Sequence, residues 1–209
     1  MKQGSVTAPM VPENKKGKAL DLEHSVIENS PEEAITTFKR ACKRLLNPPT
    51  WHELSGALSA TFKLGPLTGP GVERLAQIND YIRIDIPGPG SVTGDGYDWV
   101  QVQNIIENPD PSAGESFGMT LKAAVNPDKP EQGIAHFFGD GATSTFIVKR
   151  NGNNVTASYH GRNEIPNTKK VDLPDKIRNS IIAGGALAGI SELQWAALIK
   201  GLLEKEIGG

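Results

Sequence analysis

The 209-residue sequence contains few of the residues that carry metal, redox or disulfide chemistry. It has one cysteine, Cys42, which cannot form a disulfide within the chain and which lies in a helical pattern of apolar residues. We therefore expect Cys42 to be a small buried hydrophobic residue. The four histidines lie far apart and lack the close spacing of a zinc motif: His24, His52, His136 and His160. We accordingly expect no metal and no cofactor.

Long hydrophobic runs and an excess of one charge are also absent. The longest apolar stretch, Ile181 to Ile190, is short and interrupted by three glycines, and the first 18 residues contain no apolar run of the kind that directs secretion. Lysine and arginine number 22 against 24 aspartate and glutamate, a net charge of −2, so no strong field attracts nucleic acid or an anionic membrane. We expect a soluble, cytoplasmic protein with no nucleic-acid or membrane partner; the sequence leaves the oligomeric state open.

Short catalytic motifs are missing as well. The stretch Gly90 to Gly94 places its serine one position too early for the nucleophile elbow of serine hydrolases. The glycine-dense stretch 87–94 has no G-K-[ST] after it, and its two prolines remove backbone donors that a phosphate-binding loop needs. The acidic residues around Asp95 lack the ladder of a calcium loop. The sequence therefore names no catalytic residue.

What the sequence does contain is a long series of strand patterns. Glycine (23) and proline (15) are plentiful, and between them lie segments in which apolar and polar residues alternate. Consecutive strands without helices between them favour antiparallel pairing. A change of phase between Val102 and Ile105 predicts a β-bulge, and Asn151-Gly152 predicts a hairpin turn. The predicted strands cover residues 19–27, 57–64, 80–86, 98–106, 116–125, 142–149 and 155–162.

One of these strands carries charges opposite its apolar side chains. Tyr81, Arg83 and Asp85 alternate with Ile82, Ile84 and Ile86. A charged face of this kind belongs either to solvent or to the wall of a cavity. Because the isoleucines need a core to pack against, we expect the charged residues on the outer face of the sheet.

Helical signals flank the strands. Ser30 precedes Pro31 and stands three residues before Glu33, which is a capping box, and apolar residues then recur at helical spacing up to Asn47-Pro48. A short turn containing Trp51 follows. Near the C-terminus an amphipathic helix is predicted from Ser191 to about Glu206, with Trp195 on its apolar face.

The order of these elements resembles the START-like, or helix-grip, superfamily. The local likeness runs from Val26 through Asn29-Ser30-Pro31-Glu32-Glu33 to Asn47-Pro48-Pro49-Thr50-Trp51. The resemblance implies an α+β fold in which a curved antiparallel sheet of about seven strands wraps around a C-terminal helix. Lipocalin-like barrels are an alternative with a similar order. We expect a flexible N-terminal tail over residues 1–18 and a single domain over residues 19–209.

Helix-grip proteins commonly bind small hydrophobic molecules between sheet and helix, so the resemblance implies the same cavity here. Polar tips on apolar faces and their apolar neighbours then become the predicted ligand-binding residues: His24, Met119, Tyr159 and Trp195. We expect a binder of a small hydrophobic or amphipathic molecule rather than an enzyme. Two alternatives stay open: a cyclase- or hydrolase-like enzyme that uses His24 or Tyr159 in the same cavity, and a protein-interaction module that uses the Ile181–Ile190 segment.

Overall fold

Seven antiparallel strands form one sheet in the computed structural model of the chain. The strand order across the sheet is β1-β7-β6-β5-β4-β3-β2, so the first strand pairs with the last one. The strands are β1 (Lys18–Ile27), β2 (Thr61–Gly65), β3 (Tyr81–Asp85), β4 (Asp98–Asn108), β5 (Glu115–Ala123), β6 (Thr143–Asn151) and β7 (Asn154–Glu164). The structure describes residues 10–56, 59–65, 74–86, 94–109, 114–167 and 191–205.

Three α-helices accompany the sheet in the described residues: α1 (Pro31–Leu45), α2 (Trp51–Ser55) and α3, which covers residues 191–203. The predicted start of α1 is confirmed, because Ser30 Oγ accepts a hydrogen bond of 3.2 Å from the backbone N–H of Glu33. The curved antiparallel sheet with a C-terminal helix confirms the predicted α+β fold class.

The main core lies between one face of the sheet, called here the inner face, and the three α-helices. Its largest fully buried side chains come from every layer: Trp51, Tyr159, Phe146, Leu45, Ile82, Met119, Leu198, Ile199, Leu202, Leu203 and Val102. The opposite, outer face carries the charged positions of β3, as predicted, with Tyr81 and Arg83 half-buried and Asp85 exposed. Cys42 packs half-buried at the edge of the core, where burial raises the pKa of its thiol to about 12.

The strand bounds depart from the sequence pattern by one to four residues, and two of these departures have a local cause. β2 begins at Thr61 rather than at residue 57, because Ser59 closes a turn by donating its backbone N–H to the Gly56 carbonyl at 3.0 Å. β5 ends at Ala123 rather than at Val125, which forms an isolated bridge with Ile134. The predicted bulge in β4 is confirmed as a register shift between Val102 and Asn104.

The N-terminal residues that the structure describes lie against the outer face. Met10 is buried, and its sulfur lies close to Gly118, where a side chain would collide with it. Asn163 accepts a hydrogen bond of 2.8 Å from the backbone N–H of Lys15. Residues 10–17 thus contact the sheet, whereas the predicted division into a tail and one domain stays a prediction. The Ile181–Ile190 segment lies outside the described residues.

Candidate functional site

Three of the four predicted ligand-binding residues come together on the inner face. Met119, Phe146 and Tyr159 are direct partners across β5, β6 and β7 and form one row. Trp195 of α3 lies over this row, with its ring stacked on Tyr159 at 5.5 Å between centroids and an interplanar angle of 19°. The register of the sheet and the apolar face of α3 therefore bring these three side chains together. That they bind a ligand stays a prediction.

His24 lies on the same face but beside this group. It is half-buried on β1 and pairs with Ala157, two residues along β7 from Tyr159. The hydroxyl of Tyr159 bonds to Ser144 and Glu164 and not to His24. The two side chains thus form no hydrogen bond with each other in the described residues, and the enzyme alternative, which uses His24 or Tyr159, stays open.

The interior under α3 is filled by aromatic rings. Trp195 has its ring centroid 5.2 Å from that of Phe146 and 6.0 Å from that of Phe62, and Trp51 lies 5.3 Å from Phe146. Rings at such distances are in van der Waals contact and gain from edge-to-face and offset packing. In the part of the chain that the structure describes, this region is thus a packed core that changes from apolar to polar at one end.

That polar end is built by Tyr159, Ser144 and Glu164. The Tyr159 hydroxyl donates to Glu164 Oε1 at 3.2 Å and lies 3.1 Å from Ser144 Oγ. Glu164 is 7% exposed, and the described residues supply no second donor to its carboxylate. A buried carboxylate with one neutral hydrogen-bond donor is energetically unfavourable, so the group is a candidate for a ligand contact.

Gly161 makes room for this carboxylate. It lies opposite Ser144 on β6, and a side chain on it would collide with Glu164 Oε1 and come within 3.0 Å of the Tyr159 hydroxyl. Glycine inside a strand commonly marks such a close approach. The Tyr159–Glu164 pair is thus accommodated by the sequence of β7 itself.

Burial dominates the electrostatics of the pair. Loss of solvent raises the pKa of Glu164, and the nearby charge of Glu192 raises it further, while the Tyr159 hydroxyl, Lys18 and Arg162 act in the opposite direction. Burial also raises the pKa of Tyr159 far above its ordinary value. The tyrosine therefore remains a neutral donor at physiological pH, next to a carboxyl group whose pKa burial raises.

Glu164 and Ser144 were not predicted from the sequence, and a bulge explains why for Glu164. Asn163 has a left-handed φ of +57°, and the β1–β7 register shifts between Lys18 and Leu20. This shift reverses the alternation, so that Glu164 lies on the inner face although strict alternation from Tyr159 places it outside. The glycine at position 161, in an otherwise regular strand, was the available signal.

A second polar chain joins β1 to β7 on the outer face. Asp21 Oδ1 lies 2.6 Å from His160 Nδ1, and His160 Nε2 lies 3.0 Å from Ser158 Oγ. Arg162 forms an ion pair of 2.7 Å with the same oxygen of Asp21. Burial works against ionisation of Asp21, but the hydrogen bonds from Arg162 and His160 outweigh it and lower its pKa. Because Arg162 already balances the aspartate, we interpret this chain as a brace between the two strands.

The described residues contain neither a metal-binding cluster nor a membrane-spanning helix. Within these ranges no group of three or more histidine, cysteine, aspartate or glutamate side chains is arranged to hold a metal ion. None of the described helices is long and apolar enough to cross a membrane.

Comparison with known proteins gives matches in structure only. No family model matches the sequence, and no curated protein matches it. Among solved structures, the chain is similar to truncated norcoclaurine synthase from Thalictrum flavum, with 13% identity, a TM-score of 0.35, and coverage of 90% of this chain and 96% of the other. It is also similar to a major latex-like protein from Panax ginseng, with 12% identity, a TM-score of 0.32, and coverage of 86% and 99%.

A protein from Bacillus halodurans matches with 11% identity, a TM-score of 0.36, and coverage of 88% and 97%. At these identities and TM-scores the matches carry no information about function. The predicted resemblance to the START-like, helix-grip superfamily is confirmed as a likeness of fold, because the chain has that superfamily's order of strand, helices, antiparallel sheet and closing helix.

Proposed function

We propose that this protein binds a small amphipathic molecule between the inner face of the sheet and α3. The polar group of the molecule, a hydroxyl or an amine, donates to Glu164, and its apolar body lies against Trp195. The observation that carries this proposal is the buried Glu164 carboxylate, whose described hydrogen bonding is limited to the Tyr159 hydroxyl. A ligand donor would supply the partner that the carboxylate lacks.

Access from solvent is expected at the Glu164 end. There the aromatic cluster gives way to Lys18 on β1 and Glu192 on α3, which form an ion pair of 3.2 Å. Both side chains are about half exposed, and such surface pairs contribute little to stability, on the order of 0–1 kcal/mol. This ion pair therefore adds little resistance to separation of the N-terminal turn of α3 from β1.

Thermal denaturation with a panel of matched ligands tests the proposal. The panel pairs aromatic amines and long-chain alcohols with carboxylates of the same size, so that only the head group differs. Amines and alcohols are expected to raise the midpoint, because a ligand at a hundred times its Kd stabilises the native state by about 2.7 kcal/mol. The matched carboxylates are expected to bind more weakly because Glu164 repels them.

Two substitutions assign any binding to this site. Glu164→Gln removes the charge and keeps the acceptor, and it should weaken amine binding about tenfold or more. The control, Glu23→Gln, changes an exposed carboxylate on the outer face of β1 and should leave binding unchanged. The proposal is wrong if no ligand shifts the midpoint, or if Glu164→Gln and Glu23→Gln bind alike. If the native protein chemically converts a bound ligand and Glu164→Gln does not, the result would instead favour the enzyme alternative.

A further inference from the structure

A pocket on the outer face of the sheet lies on the side opposite the aromatic core. Its volume is about 280 Å³, and its floor is formed by β2, β3 and β4, while two turns at residues 94–97 and 126–128 form its walls. Six charged and aromatic side chains line it: Lys63, Arg83, Asp95, Tyr97, Trp99 and Asp128. Because the sheet separates this pocket from the Glu164 site, the two can be tested independently.

The pocket contains two neighbouring positive charges. Lys63 on β2 is the direct cross-strand partner of Arg83 on β3, so both side chains leave the same face of the sheet. Like charges directly opposite each other destabilise an antiparallel pair. Neither side chain forms an ion pair with a carboxylate in the described ranges, whereas Lys129 nearby pairs with Asp95 at 2.8 Å. An anion placed between Lys63 and Arg83 would relieve their repulsion.

Aromatic rings line the same space. The Arg83 guanidinium carbon lies 4.1 Å from the centre of the Tyr97 ring, a cation–π contact that holds the guanidinium in place. Trp99 is the cross-strand partner of Arg83 on β4. Its indole is buried, and its N–H has no acceptor among the described residues. Flat apolar walls beside a fixed cation suit a planar ligand that carries an anionic group.

The acidic residues of the pocket limit the charge of that ligand. Asp95 is balanced by Lys129 and also accepts a hydrogen bond of 3.3 Å from Asn126. Asp128 lines the wall without an ion pair among the described residues. Two unpaired cations against one unpaired carboxylate leave a net charge of about +1, which favours a monoanion over a phosphate group.

We propose that this pocket binds a small aromatic monocarboxylate, with its carboxylate between Lys63 and Arg83 and its ring against Tyr97 and Trp99. The pocket is slightly smaller than the roughly 300–1,000 Å³ of sites for drug-sized ligands, so the ligand has the size of one or two rings.

Titration with benzoate, followed by NMR at the Trp99 indole N–H, tests the proposal. The resonance is assigned by its loss in Trp99→Phe. Benzoate is expected to shift it in a saturable manner, while benzamide, which has the same shape without the charge, should bind at least tenfold more weakly. Inorganic phosphate should also bind more weakly than benzoate, because Asp128 disfavours a second negative charge.

Three substitutions then locate the binding. Lys63→Met and Arg83→Met should each weaken benzoate binding at least tenfold, and the lysine variant leaves the Arg83–Tyr97 contact intact. Lys39→Met, which changes an exposed lysine on α1, is the matched control and should have no effect. Glu164→Gln should also have no effect, which separates this site from the inner one. Equal binding of benzoate and benzamide, no saturable shift, or full affinity in Lys63→Met would overturn the proposal.

Discussion

Glu164 lies in an environment that disfavours its own charge. It lies under the first turn of α3 with one hydrogen bond from Tyr159, and Glu192 adds negative charge nearby. A protein retains such a group at a cost to stability, which is common at binding and catalytic sites. The cost has a pH dependence that can be measured without knowledge of the ligand.

We expect the native protein to lose stability as pH rises, because Glu164 becomes ionised. Glu164→Gln should lack this loss. Burial raises the folded-state pKa of Glu164 above the unfolded value near 4.5, so the native state binds this proton more tightly than the unfolded state. The free energy of unfolding of the native sequence should therefore fall as pH rises from the unfolded pKa to the folded pKa. Above that interval the contribution of Glu164 to the free energy of unfolding is constant. In that range Glu164→Gln should be more stable than the native protein.

Urea denaturation of both proteins between pH 4 and pH 8 measures this difference. The two free energies of unfolding should converge at the acid end and separate as pH rises. Glu23→Gln, which alters an exposed carboxylate, should run parallel to the native protein throughout. A constant difference between Glu164→Gln and the native protein over the whole range would contradict the raised pKa.

At the scale of elements, α1 and α3 are joined by an arginine that satisfies a helix end. Arg44 Nη1 donates to the carbonyl of Gly201 at 3.0 Å and to that of Leu202 at 3.3 Å, and it also bonds the carbonyl of Glu204. The last carbonyls of a helix have no partner within the helix, and a cation there also interacts favourably with the helix dipole. Arg44 thus fixes the C-terminal end of α3 to the rest of the fold.

Arg44→Met should lower the free energy of unfolding by about 1.5–3 kcal/mol, because hydrogen bonds to a charged donor are lost and carbonyls lose their partner. Backbone hydrogen exchange should accelerate most in the last turn of α3. Lys43→Met changes the exposed neighbour on the same helix and should have little effect on either quantity. Uniform acceleration of exchange through the whole chain would show that Arg44 stabilises the fold without a local role at α3.

Individual elements were largely predictable because their signals are local. The capping box at Ser30 and the bulge after Val102 depend on residues close in sequence, and both are confirmed. The start of β2 was not predictable from alternation. Ser59 closes a turn with Gly56, and its hydroxyl forms hydrogen bonds with His52. The position of Glu164 depends on the left-handed Asn163, and asparagine alone does not indicate that conformation.

At the scale of the whole molecule, the two candidate sites differ in how far the sequence revealed them. The placement of Met119 and Tyr159 on the inner face follows from alternation once a sheet is assumed. The placement of Trp195 over them follows from the periodicity of the C-terminal helix. The pairing of Lys63 with Arg83 follows only from the β2–β3 register. Register across a long connection is set by packing of the complete sheet, so the outer pocket could not be predicted from the sequence.

The strand order also predicts the sequence of folding events. β5, β6 and β7 follow one another along the chain, and β6 and β7 are joined by a two-residue turn in which Gly152 has a φ of +57°. β1 pairs with β7 from the opposite end of the chain, with Val26 opposite Val155. Closing that long loop is entropically costly before other contacts exist, so the hairpins should form first and β1 should add to them later.

Substitutions in the two regions should therefore affect different rate constants. Val148→Ala, in the core of β6, should lower stability by about 2 kcal/mol and act mainly by slowing folding, with a φ-value of about 0.5 or more. Val26→Ala, on β1, should act mainly by accelerating unfolding, with a φ-value near zero. Stopped-flow folding and unfolding in urea measures both. Equal φ-values for the two variants would mean that β1 is already paired with β7 in the transition state, and the order inferred from the topology would be wrong.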